Sequence, residues 1–106
     1  MIIARFYKNS DDKMLGFQIS GHADYSENGN DIACASVSSA VMNTVNTITD
    51  VFKVDAKVAV EENEIILKLR NDEDGNGDKL LLGLLMHMYL MSDEFTGCIK
   101  IENKTV

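Results

Sequence analysis

Two residues of this chain have the types and spacing for nucleophilic chemistry, His22 and Cys34. A cysteine attacks as thiolate, so a site that uses it must favour loss of the thiol proton. A nearby imidazole can take that proton and hold the resulting ion pair. Cys34 lies twelve positions after His22 across one polar, glycine-containing loop, a span that is easily closed. Spacing of this kind carries little weight alone, and the local context supplies the rest.

Residues 21–38 read as the end of a strand, a loop and the first turns of a helix. Asp31 is placed as N-cap, because its carboxylate can accept from the unpaired amides of a first turn. Cys34 then falls in that turn, where the amides and the helix dipole favour negative charge. The same amides, that of Cys34 included, are candidate donors to an oxyanion. Asp24, Asp31 and Ser38 are candidates to orient the imidazole. The sequence does not choose among them, and a dyad with no third member is equally consistent.

The other reactive side chains read as bystanders. His87 lies in an apolar helical stretch with no acidic residue at helical spacing, which suits a partly buried structural histidine. Cys98 alternates away from Ile99 and Ile101 and reads as an edge or partner-contact residue. No zinc spacing is present, and the acidic run at 71–78 lacks the closing glutamate of a calcium loop. No metal and no cofactor are expected, and there is no glycine-rich phosphate loop.

Those candidates need a scaffold, and 106 residues suit one domain over residues 1–106. The 45% hydrophobic and 25% charged fractions are those of an ordinary soluble protein. A net charge of −7 argues against holding phosphate backbones, so no direct nucleic-acid partner is expected. The opening residues lack a signal-peptide pattern, and the apolar run from Leu80 to Met91 is too short to span a bilayer. A cytoplasmic protein with reduced thiols follows as the expectation.

Alternation predicts strands over 1–8 and 14–22, with Ile2, Ala4 and Phe6 inward on the first and Leu15, Phe17 and Ile19 on the second. Residues 23–30 are a loop. A helix runs from 31 to about 52, with Cys34, Ser38, Val41, Val45, Ile48 and Phe52 on its core face. Strands follow at 56–61 and 64–70, with Val58, Val60, Ile65, Leu67 and Leu69 as core positions. A second helix over 78–94 is apolar nearly all round, which points to a homodimer contact on one of its sides. A last strand covers 97–102. The fold class is α+β, a mainly antiparallel sheet with two helices in the order ββ-α-ββ-α-β.

Gly21-His22-Ala23, a short loop with Gly29, and Asp31-Ile32-Ala33-Cys34-Ala35-Ser36-Val37-Ser38 closely resemble the signature of the Prp family, the ribosomal-processing cysteine proteases. Ser36 departs slightly from it. The resemblance implies a dimeric cytoplasmic endopeptidase that removes an N-terminal extension from a bacterial large-subunit ribosomal protein. It implies cleavage after a motif rich in Phe and basic residues. His22 matches the family's general base and Cys34 its nucleophile, while Asp31 and Ser38 match characteristic positions. The loop at 23–30, with Tyr25, Asn28 and Gly29, matches a mobile cover that meets substrate. The competing reading is a noncatalytic ribosome-associated binding or assembly module, in which Cys34 is a small apolar helix residue.

Overall fold

The computed structural model describes residues 1–21 and 30–106, with the side chains of Asn30 and Asp31 left aside. Five strands and two helices follow one another as β1 (Ile2–Lys8), β2 (Met14–Ser20), α1 (Asn30–Asn46), β3 (Asp55–Glu61), β4 (Glu64–Asn71), α2 (Asn76–Glu94) and β5 (Ile99–Thr105). This is the expected ββ-α-ββ-α-β order. The strands form one sheet in the order β3-β4-β2-β1-β5. All neighbours run antiparallel except β1 and β5, because α2 carries the chain back across the sheet before β5.

Both helices lie on one sheet face. The period-2 positions Ile2, Ala4, Phe6, Phe17, Ile19, Ile65 and Leu67 are buried there against Val37, Val41, Val45 and Ile48, and against Leu81, Leu84, Met88 and Met91. Phe6 and Phe17 are opposite in register, with ring centroids 6.1 Å apart and tilted. Among the described residues the other sheet face carries no helix. Among the described residues no helix is long and apolar enough to cross a membrane.

Several expectations change. Leu15 was placed inward but is half-buried, because the register steps from Tyr7–Gly16 to Lys8–Met14 and leaves Leu15 as a bulge residue. The bulge reverses the alternation, so Met14 takes the core side. Phe52 is 47% exposed, not in the core stripe. The last turn, Thr47–Val51, is a π turn closed by Phe52 N donating to Thr47 O at 2.9 Å. A wider turn means that four residues no longer return to the same face. The inward stripe of α1 runs through Ala33 and Val37, and Ser38 is half-buried beside it. Val60 is 62% exposed because β3 is an edge strand and Val60 lies near its end.

The acidic run before α2 is more than a solvated loop. The Asp72 carboxylate accepts from Gly77 N at 2.8 Å and Asp78 N at 2.9 Å, which caps α2 from outside the helix. Asp78 in turn accepts from Met14 N at 2.6 Å, tying α2 to β2. Gly75 supplies the positive φ of the turn between them. The helix therefore starts at Asn76, two residues earlier than periodicity suggested.

Candidate active site

β2 is the middle strand of the sheet, and the chain leaves it at Gly21, immediately before His22. Gly21 has φ +83°, and a Cβ on it would stand 2.2 Å from the Met1 carbonyl oxygen. Only glycine fits such a site. Its amide donates to Asn63 O at 3.1 Å, which fastens the end of β2 to the β3–β4 turn. Ser20 stands opposite Glu64, and Gln18 Nε2 donates to Glu64 Oε1. The point from which His22 departs is thus held by backbone and side-chain bonds. The turn beside it carries Glu61, Glu62 and Glu64.

Cys34 sits on α1 among the core residues and is 2% exposed. It packs in a cluster that includes Ala33 and Val37, and no disulfide joins it to Cys98. The core-facing phase read from the sequence is the observed one. Its distance from the helix start is not. α1 begins at Asn30, so Cys34 is the fifth helical residue and its amide falls among those bonded within the helix. The unpaired amides of α1 belong to the residues ahead of it. Asp31 lies inside the first turn by its backbone, not ahead of it as N-cap. Ser38 is one turn beyond Cys34 and half-buried.

His22, Asp24, Tyr25, Asn28 and Gly29 lie outside the described residues, as does the side chain of Asp31. Among the described residues no group of three or more His, Cys, Asp and Glu could hold a metal ion.

His87 was expected partly buried. It is exposed on α2 and lines a cleft toward α1 with Ser36, Ser39 and Asn43. Its helical phase follows Gly83 and not the buried Leu84 and Met88. Cys98 precedes β5 instead of lying in it. It is half-buried against the core, and its carbonyl accepts from Ile2 N at 2.8 Å.

Sequence reasoning missed the role of Asn63 and its glutamate neighbours beside the β2 end. That proximity depends on the β2–β4 pairing, which joins segments more than forty residues apart and leaves no local signal.

Over 48 residues the chain is 38% identical to the ribosomal processing cysteine protease Prp of Bacillus subtilis (strain 168), covering 45% of this chain and 43% of that protein. It is 24% identical over 106 residues to the ribosomal processing cysteine protease Prp of Staphylococcus aureus (strain Mu50), covering 98% of this chain and all of that one. The fold matches the crystal structure of the S. aureus Prp protease in complex with a substrate peptide, with TM-score 0.91, 21% identity and coverage of 98% and 100%. A solved structure from Streptococcus mutans matches with TM-score 0.89 and 23% identity, over 100% of this chain and 96% of that one. The family model for the cysteine protease Prp spans residues 1–100, and the chain belongs to that family of cysteine proteases.

Proposed function

We propose that this protein removes an N-terminal extension from a bacterial large-subunit ribosomal protein, with Cys34 as nucleophile and His22 as general base. The observation that carries the reading is a cysteine held on the core face of α1 by a fold that belongs to a cysteine protease family. In this mechanism the Cys34 thiolate attacks the scissile carbonyl. His22 takes the thiol proton and returns it to the leaving amine, and water then hydrolyses the acyl-enzyme. First-turn amides of α1 ahead of Cys34 stabilise the oxyanion. Asp24, Asp31 or Ser38 orients the imidazole, and Tyr25, Asn28 and Gly29 meet the substrate.

Two features support a basic substrate. The chain carries net charge −7, and Glu61, Glu62 and Glu64 flank the turn bonded to Gly21. Cys34 is 2% exposed, and on this reading substrate reaches its thiol through local opening. The reading places the enzyme in the cytoplasm as a homodimer joined through the outward face of α2, where Leu82, Met86 and Leu90 are exposed.

The test is cleavage of the extended ribosomal precursor by the parent and by Cys34→Ala and His22→Ala. Each variant should keep the parent circular dichroism spectrum and lose cleavage by at least about a thousandfold. Parent-like cleavage by either one removes that residue from the mechanism.

A further inference from the structure

The sheet face without helices holds an apolar groove of about 360 Å³, across the sheet from Cys34. Tyr7, Leu15, Ile66 and Val106 wall it, with Lys68 at the rim. The gap is built into the backbone. Gly16 stands in the middle, and a Cβ there would come within 2.2 Å of the Leu67 carbonyl oxygen. The bulge at Leu15 adds an apolar side chain to those of Tyr7 and Ile66 on this face. Tyr7 is steadied by its hydroxyl, which donates to Gln18 Oε1 at 3.2 Å.

Two like charges face each other beside the groove. Lys68 is directly opposite Lys57 in the β3–β4 register, and both are exposed. Like charges placed so repel each other. Elsewhere on the face Arg5, Lys100 and Arg70 have partners, while Lys104, opposite Tyr7, is in no ion pair among the described residues. Arg5 and Lys100 meet Glu102 at 2.7 and 3.6 Å, and Arg70 approaches Asp55 at 3.9 Å. Lys57 and Lys68 are in no ion pair among the described residues. A chain of net charge −7 has thus left two adjacent cations uncompensated beside an apolar slot.

That combination is complementary to a carboxylate next to an apolar side chain. A bound carboxylate relieves the Lys57–Lys68 repulsion, and the slot takes the neighbouring apolar group. A long polyanion fits less well, because it would leave the apolar slot unfilled. We infer that the helix-free sheet face, at Tyr7, Leu15, Gly16, Ile66, Lys57 and Lys68, docks a short acidic and apolar peptide segment of a protein partner. Docking there leaves the helix face clear, so the groove recruits a partner without competing with cleavage.

The test is titration of the isotope-labelled full chain with the synthetic peptide Ac-Glu-Glu-Leu-Phe-Glu-Glu-NH2, read by amide chemical shifts. Shifts should gather at Tyr7, Gly16, Ile66 and Lys68 and should weaken as salt rises. The double variant Lys57→Glu/Lys68→Glu, both on exposed positions, should bind about tenfold more weakly or worse. Leu15→Asp, which charges the wall, should weaken binding while Lys57 and Lys68 stay in place. Absence of shifts, shifts confined to the helix face, or an equal response to Ac-Lys-Lys-Leu-Phe-Lys-Lys-NH2 would each overturn the inference. So would a twelve-nucleotide oligouridylate that moves the same amides while the peptide is silent. Shifts at the groove on raising protein concentration alone would assign the face to a second copy and overturn it too.

Discussion

The amide of Gly21 donates to the carbonyl of Asn63 at 3.1 Å. This bond clamps the end of the central strand to a turn more than forty residues away, one residue before His22. Gly21→Ala should therefore do two things. It forces a side chain into φ +83° and against the Met1 carbonyl, costing about 1–3 kcal/mol of stability. It also displaces the start of the segment that carries His22, so kcat/KM should fall more than the lost folded fraction explains. Urea titration beside the cleavage assay separates the two. Parent-like stability and activity would contradict the clamp.

Burial of Cys34 sets the order in which the thiols react. At 2% exposure it should be alkylated by iodoacetamide more slowly than half-buried Cys98. Sub-denaturing urea should speed the Cys34 reaction more than that of Cys98, because access runs through local opening. Peptide mass mapping over time gives both rates. Faster modification of Cys34 in the native chain would mean that the closed arrangement is not the prevailing one.

Asp72 caps α2 with both carboxylate oxygens. Asp72→Ala leaves the amides of Gly77 and Asp78 without those bonds and should cost about 0.5–2 kcal/mol. Asp72→Asn, which keeps an acceptor, should recover part of that. Chemical denaturation midpoints of the three proteins test the ranking.

The salt link on the open sheet face gives a pH dependence of known sign. The hydrogen bond from Arg5 holds the Glu102 carboxyl below its ordinary value of 4.5. A lowered folded-state value means that the unfolded chain binds the proton more readily. The link therefore contributes at neutral pH and is lost as pH falls from 4.5 through the lower folded value. Glu102→Gln should flatten the acid limb below 4.5 by a small amount, given the partial exposure of the pair. Urea midpoints at neutral pH and below 4.5 give the comparison.

The outward face of α2 offers a test of assembly. Leu82, Met86 and Leu90 are 47%, 62% and 66% exposed at spacings that share one helix side. Met86→Asp with Leu90→Asp should leave the fold intact and move sedimentation from dimer to monomer at the same concentration. A parent protein that sediments as a monomer throughout would end the dimer reading.

Much of this molecule was legible from local pattern. Alternation at Ile2, Ala4 and Phe6, and at Ile65 and Leu67, marked strands with one dry face. The 3–4 spacing through Val41, Val45 and Ile48 marked a helix laid on it. Both are periodicities that burial of one face imposes on neighbouring residues, so a sequence carries them. The pairing of Cys34 with a core-facing phase was legible for the same reason. What tertiary structure alone decided concerns residues brought together from far apart. The bulge at Leu15 depends on how β2 registers on Tyr7 and Lys8, and the exposure of Val60 on the edge position of β3. The contact of Gly21 with Asn63 and the facing lysines 57 and 68 are set by strand register. Register is fixed by the whole sheet at once, and no window of sequence contains it.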